Sequence, residues 1–371
     1  MISNNKICIL TTAHPIFSTR IFYKEAKTLL TTGCNVILIV QHDKDEKIDG
    51  VQIIALPKSK NRIYRMFVLN LKSLWLALRQ KANVYHFHDP DLIPIGLLFK
   101  SLGRKVIYDA HEDVPRQTLS KEYIPIYLGP RVAWLIEKIE NFACKRFDAV
   151  VAATPFIRDR FLRLGCLAVD VNNYPILSDL HLPEVDWSEK ERAVCYVGSI
   201  SNIRGIFEMV DAIGRTDAKL LLAGKFSPTS QRDLGAAMPG WVNVEELGQL
   251  TRSGVGQILT KSMAGLALFH PHSNHINAQP NKIFEYMSAG IPVIASNFPL
   301  WKQIIEANHC GICVDPMNPA EIAEAIQWIV DHPAESKQMG EKGRKLVKKK
   351  FNWEAEGKKL LSLYKQLTLL K

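Results

Sequence analysis

An alternation running nearly the whole length of the chain limits its fold more than any other feature. Short runs rich in Val and Ile, too short for helices, take turns with segments of helical period. In the first half the runs are 6–10, 35–41, 51–56, 83–87, 105–109 and 148–152, and helical patterns include 20–32, 62–80, 91–102, 129–146 and 155–164. Strands alternating with helices need crossover connections, so the strands form a parallel sheet covered on both faces. The alternation pauses at 172–192, where Asn172, Asn173, Pro175, Ser178 and Pro183 precede a charged run, and it restarts at 193–197, 219–223, 242–246, 265–269, 292–295 and 311–314. This predicts two consecutive doubly wound α/β domains, 1–175 and 176–350, then a C-terminal helix over 351–371. Ligands of open α/β sheets bind at strand carboxyl ends, so the expected site is a cleft between facing domains. Asn352 is the expected cap of the last helix, with Glu354 and Glu356 in its first turn.

Composition excludes several classes. At 47% hydrophobic and 23% charged residues the chain is globular rather than disordered. No apolar run is long enough to span a bilayer, and the polar start leads straight into a strand, so no secretory leader is expected. Seven scattered cysteines without a C-x-x-C pair argue for a reducing compartment, against a disulfide frame or zinc site. The net charge of +10 is lopsided: residues 1–175 carry 25 Lys and Arg against 16 Asp and Glu. Such a half expects an anionic partner. No RNP aromatics, helix-turn-helix or zinc motif is present, so that partner is not expected to be nucleic acid.

Motifs at strand ends carry the chemistry. In 279–296, QPNKIFEYMSAGIPVIAS, a polar loop with Pro280 leads into a helix, a Gly290-Ile291-Pro292 turn and a strand. Backbone N–H groups at that helix start can bind phosphate, with Lys282 adding charge. Glu285, one turn in, either accepts hydrogen bonds from ribose hydroxyls or answers the helix dipole. Thr11-Thr12-Ala13-His14-Pro15 follows the first strand, and Arg20, Lys24 and Glu25 open the next helix, where Arg20 would reinforce a phosphate site. Tyr108-Asp109-Ala110-His111-Glu112-Asp113 and His86-Phe87-His88-Asp89-Pro90-Asp91 end two further strands. No other ligand spacing supports a metal there, and none is expected.

The segment 279–296 resembles the donor-binding signature of family 4 glycosyltransferases, and the similarity extends over nearly the whole chain. That resemblance implies a GT-B fold, two facing Rossmann-like domains with an interdomain cleft, and transfer of a sugar with retention. Its two acidic positions fall on Glu285 and on Asn277, which is not acidic. By the same resemblance His111 contacts the transferred sugar, and His88 and Asp89 line the acceptor side. Where the family has Gly-Arg and then Lys before Gly, this chain has Gly198-Ser199 and then Arg204-Gly205, so Arg204 or Lys282 is the expected substitute for the missing cation. Leu222-Ala223-Gly224-Lys225 resembles the glycine turn near the nucleotide, and His270-Pro271-His272 precedes the loop to Asn277. The implied site comprises catalytic His111, Arg204 and Glu285, with Arg20, Gly198, Lys225, Asn277, Asn281 and Lys282 at the donor. A nucleotide-diphosphate sugar is the substrate, no cofactor or metal is implied, and the implied acceptor is a lipid-linked glycan of bacterial surface polysaccharide. The competing readings are a GT-B nucleotide-sugar 2-epimerase and a non-catalytic basic interaction protein.

One segment concerns location. Along 62–80, Ile63, Phe67, Leu71, Leu74 and Leu78 form one stripe with Met66 and Trp75 at its margins, flanked by Lys58, Lys60, Arg62, Arg65, Lys72, Arg79 and Lys81. A second surface is 123–128 with Arg131 and Trp134. The stripe reads either as the core face of a crossover helix or as a docking face for an anionic membrane. With the basic first half, the expectation is a cytoplasmic enzyme, peripheral at the inner face of the plasma membrane.

Overall fold

The computed structural model describes residues 5–59, 61–119, 125, 127–177 and 187–369. The chain divides into two units, Met1–Asn173 with Glu354–Lys371, and Tyr174–Trp353. Ser178 and Pro183 of the expected linker lie outside the described residues.

The first unit holds β1 (Lys6–Pro15), β2 (Asn35–Gln41), β3 (Glu46–Ile48), β4 (Val51–Leu56), β5 (Val84–Phe87), β6 (Lys105–Ala110), β7 (Ala149–Ala152) and β8 (Ala168–Asp170). Their order is β3-β4-β2-β1-β5-β6-β7-β8, parallel throughout except for the antiparallel β3–β4 pair. Every residue of β5 and β7 is buried, as strands covered on both faces require. β3 and β8 do not stand out in the sequence because each is three residues long, and β3 carries Glu46 and Lys47 as befits a sheet edge. Chain order reverses between β1 and β5, so the residues following those strands lie at the switch point where doubly wound sheets bind ligands.

The second unit holds β9 (Ala193–Val197), β10 (Lys219–Ala223), β11 (Val244–Gly248), β12 (Ala264–Ala267), β13 (Val293–Ser296) and β14 (Gly311–Val314). Their order is β11-β10-β9-β12-β13-β14, all parallel, with the reversal between β9 and β12. One apolar cluster includes Phe284, Tyr286 and Trp301, and another includes Met209, Ile213 and Ile326. Helix Asn281–Ser288 lies so close to β12 that a Cβ at Gly265 would fall 2.2 Å from the Tyr286 ring. The Tyr286 hydroxyl accepts from Val197 N–H at 3.1 Å and donates to the Leu266 carbonyl at 3.3 Å. This helix is thereby fixed to the end of β9.

The last helix, Trp353–Leu369, belongs to the first unit. It buries Leu360, Leu363, Tyr364 and Leu367, and the Tyr364 hydroxyl meets His86 Nδ1 at 2.9 Å. Glu356, expected to answer the helix dipole, is buried and accepts from Asn172 N–H at 2.7 Å. The side-chain amide of Asn352 donates to the carbonyls of Val347 and Lys348, closing helix Pro333–Lys349. All seven cysteines are buried and none forms a disulfide.

Gly265→Ala should lower stability by roughly 1–3 kcal/mol, the usual cost of overpacking a tight contact. Urea denaturation checks this; an unchanged midpoint would mean that helix Asn281–Ser288 shifts freely.

Candidate functional site

In the second unit the loops after β9 and β10 are laced together. Gly198 N–H donates to the Ala223 carbonyl at 2.9 Å, Ile200 N–H to Lys225 at 2.9 Å, and Ser227 N–H to Ile200 at 2.9 Å. Gly224 has φ +154°, and a Cβ there would sit 1.8 Å from the Gly198 carbonyl oxygen, so this crossing admits only glycine. The loops frame a cavity of about 460 Å³ lined by Gly198, Ser199, Gly224, Lys225, Gln249 and Leu250, among others.

Beside it, the Lys282 side chain is buried and its ammonium has no hydrogen-bond partner. The Nζ lies 3.4 Å from the Tyr196 ring centroid and 5.3 Å from that of Phe269, and a Cβ on Gly198 would be 3.5 Å away. Burial, and then the Arg204 charge, hold its pKa well below the ordinary lysine value. Arg204 follows a short turn, Asn202–Arg204; its Nη1 donates to the Ser199 carbonyl at 3.2 Å and its guanidinium lies 5.5 Å from the Phe269 ring. Arg204 thus lies against the backbone of residue 199. Glu285 pairs with Arg252 at 2.7 Å. Asn277 ends the short helix Ser273–Ile276, and Asn281 opens helix Asn281–Ser288 after Pro280. His270 is buried with Nε2 3.1 Å from Glu208, so its ring serves that pair rather than a ligand, whereas His272 is exposed.

In the first unit the site grows from strand alternation. His86 and His88 lie two residues apart at the end of β5, and Asp109 and His111 two apart at the end of β6, so each pair shares a face. The register pairs Phe87 with Tyr108, which sets His88 opposite Asp109. The helix covering that face, Thr19–Ala26, is widened to i→i+5 bonding, and this brings Arg20 and Glu25 to one side. Arg20 Nε and Nη2 donate to the two Asp109 oxygens at 3.1 and 2.8 Å, and Nη1 donates to the Val171 carbonyl at 2.7 Å. Glu25 Oε1 is 3.0 Å from Arg20 Nε. Burial alone would raise Asp109, yet Arg20, His111 and His88 hold it well below the carboxylate range. Glu25 goes the other way: burial and then the Asp109 charge push it well above. His111 meets His88 Nδ1 through Nε2 at 3.0 Å and remains partly exposed; burial lowers its pKa well below the imidazole norm, so it is neutral.

Three expectations need correction. Arg20 does not stand at a surface to meet phosphate, because its guanidinium is locked on Asp109, Glu25 and Val171. Nor does Asp89 line an acceptor surface: it is buried and accepts from Thr11 and Thr12 hydroxyls and from Thr12 and Ala13 N–H, fixing the loop after β1. His88 is buried behind His111 and positions that ring instead of facing an acceptor. Glu25 and His86 belong to the same cluster. Their spacing gave no signal: in an α-helix, residues five apart point about 140° away from each other, and only the widened helix aligns 20 with 25.

Two family models match, "Glycosyl transferases group 1" over residues 179–346 and "Glycosyltransferase Family 4" over residues 19–171. The chain is 24% identical over 279 residues to the D-rhamnosyltransferase WbpZ of Pseudomonas aeruginosa, covering 74% of this chain and 71% of that protein. It is 23% identical over 302 residues to the alpha-D-kanosaminyltransferase of Streptomyces kanamyceticus, covering 74% and 73%. Among solved structures, the sucrose-phosphate synthase of Thermosynechococcus elongatus superposes with a TM-score of 0.79 at 18% identity, over 99% of this chain and 100% of that one. Anabaena HepE in complex with UDP-glucose gives 0.73 at 14% identity, over 99% and 100%. With two Rossmann-like sheets and both family models matched, the chain belongs to glycosyltransferase family 4 and is a glycosyltransferase of the GT-B fold.

Proposed function

We propose that the second unit holds a nucleoside-diphosphate sugar at the cavity beside Gly198 and Lys225, and that the enzyme passes its hexosyl group, with retention, to a lipid-linked glycan in bacterial surface-polysaccharide synthesis. The observation that carries this reading is Lys282, a buried ammonium with no hydrogen-bond partner, sharing an aromatic wall with Arg204. Among the described residues neither Lys282 nor Arg204 forms an ion pair with a carboxylate, although Glu285 acts on Lys282 through its charge, and a diphosphate would pair with both. The relatives named for moving D-rhamnose and kanosamine, and the neighbour solved with UDP-glucose, favour a hexose on a nucleoside diphosphate.

In this account the sugar C1–O bond to the diphosphate breaks and negative charge gathers on the leaving phosphate. Lys282, Arg204 and Lys225 lower the barrier by facing that charge. The acceptor oxygen bonds to C1 on the face the diphosphate leaves, and its proton passes to a donor phosphate oxygen. No metal or organic cofactor takes part. His111, neutral and held by His88, donates or accepts one hydrogen bond at the transferred sugar. Glu285 turns from Arg252 to the ribose hydroxyls.

Helix 62–80 supports the membrane reading. Its buried residues are Leu69, Asn70, Ser73 and Ala77, while Ile63, Phe67 and Leu71 are 68%, 65% and 67% exposed. Most of the stripe is therefore turned away from the core, with Leu74 packed against it: the helix turns Leu69 and the small or polar Asn70, Ser73 and Ala77 inward and Ile63, Phe67, Leu71 and Leu78 outward. Such a face among cations fits an anionic lipid surface, where each Lys or Arg contributes about 1 kcal/mol. Arg65 pairs with Asp91 at 2.9 Å and Arg79 lies over the Trp75 ring, while Lys60 and Tyr123, Ile124 and Ile126 of the second surface lie outside the described residues. Trp134 of that surface is exposed.

Glu285→Gln should weaken nucleoside-diphosphate binding by about tenfold to a hundredfold, since a hydrogen bond to a charged group is worth roughly 1.5–3 kcal/mol. Calorimetry with UDP, GDP and ADP checks it, and unchanged affinity for all three removes Glu285 from the donor site. Diphosphate binding should also take up a proton. Lys282 has a depressed pKa when free, an adjacent anion raises it, and affinity therefore falls as pH rises above the free value. Calorimetry in buffers of different ionisation enthalpy reads this uptake, which should vanish in Lys282→Met. Finally, the protein should co-sediment with phosphatidylglycerol vesicles at low salt and less at high salt. Ile63→Ser, Phe67→Ser and Leu71→Ser together should abolish sedimentation without lowering the thermal midpoint.

A further inference from the structure

We infer that Glu25, His86, His88 and Asp109 bind one divalent transition-metal ion of the zinc type inside the first unit. One ligand atom from each of the four lies within 4.8 Å of every other, and all four residues are buried. The Nε2 atoms of His86 and His88 have no hydrogen-bond partner. Their other nitrogens are held, His86 Nδ1 by the Tyr364 hydroxyl at 2.9 Å and His88 Nδ1 by His111 at 3.0 Å. A histidine fixed through one nitrogen, with the other left for a shared point, is how proteins orient metal ligands.

The spacing agrees. His86 Nε2 is 3.8 Å from Asp109 Oδ2, and His88 Nε2 is 3.7 Å from Glu25 Oε2. Zinc with bonds of about 2.0–2.1 Å places tetrahedral ligands about 3.3–3.4 Å apart, so each pair closes by a few tenths of an ångström. Arg20 bonds both carboxylates from the other side, 3.0 Å from Glu25 Oε1, 2.8 Å from Asp109 Oδ1 and 3.1 Å from Asp109 Oδ2, the last shared with the proposed ion. Charge points the same way: one guanidinium faces two carboxylates away from solvent. A proton on Glu25, shared with Asp109, would cancel that excess, but it leaves the Nε2 atoms of His86 and His88, 3.8 and 3.7 Å from the nearest carboxylate oxygens, without hydrogen bonds. A divalent ion engages all four atoms. Two imidazoles and two carboxylates suit zinc, iron or cobalt; magnesium and calcium prefer oxygen alone. The ion would pin the widened helix to the ends of β5 and β6 and set the His88 ring that positions His111. All four ligands belong to the first unit, and metal binding is measured without any donor.

The test uses the full chain, purified without a polyhistidine tag or chelator. Elemental analysis should find one equivalent of zinc or iron. After chelation, titration with Co2+ should give a saturable visible spectrum of four-coordinate type at one equivalent, displaced by Zn2+, and Zn2+ should raise the thermal midpoint of the apo protein. His86→Ala and Glu25→Gln should each weaken Co2+ binding more than about tenfold, while His272→Ala should not. X-ray absorption on the wild-type zinc form reads the two-nitrogen, two-oxygen shell directly, even if a variant fails to fold. The inference is overturned if the wild type takes up no Co2+ at equimolar metal, or if both ligand variants keep the full spectrum.

Discussion

The first unit is organised around the bidentate pair between Arg20 and Asp109. Both side chains are buried, and leaving either without its partner strands a charge, at a cost of about 3–5 kcal/mol. Through this pair the widened helix is fastened to β6. Because Arg20 also reaches Val171, it fixes the point where the chain leaves the sheet. His111 inherits its place from the same contact: its ring rests on His88, and His88 Nδ1 lies 3.4 Å from Asp109. An arginine that seemed suited to a substrate phosphate instead holds the histidine that faces outward.

The second unit relies on backbone where the first relies on charge. Its cavity is formed by loops that cross at Gly198 and Gly224, too close for any side chain. The cations are then brought in from three separate stretches of sequence, at 204, 225 and 282. Arg204 reaches the Ser199 carbonyl from the short turn Asn202–Arg204.

Most of the architecture was legible from hydrophobic patterning. The runs 35–41, 51–56, 193–197, 219–223 and 311–314 coincide with strands end for end, since a strand buried on both faces must be apolar throughout. Short edge pieces such as β3 and β8 bury too little to leave that mark. Gly198 and Lys225, which line the second unit's cavity, were legible because they lie within a few positions of strand ends. The buried cluster was not: it joins residues 25, 86, 88 and 109 through a non-standard helix turn and the sheet register. The stripe on 62–80 shows the limit of periodicity, which finds an apolar face but not which way it turns. Asn70 decides that here, because its side chain bonds to Thr12 and to the Asp91 carbonyl and draws the polar face inward.

The return of the last helix to the first unit bears on how the protein is made. Trp353 N–H bonds to the Pro175 carbonyl at 2.9 Å, so the second unit leaves and rejoins the first at neighbouring points, as an insertion would. A ribosome delivers the second unit whole before it delivers Tyr364, Leu360 or Glu356. Until then His86 and Asn172 lack the groups they bond to in the finished protein. The order of maturation is therefore inverted with respect to the usual N-terminal-first sequence. The half synthesised first is completed only after the second unit, and a nascent chain stalled before Tyr364 would carry a finished second unit beside an unfinished first.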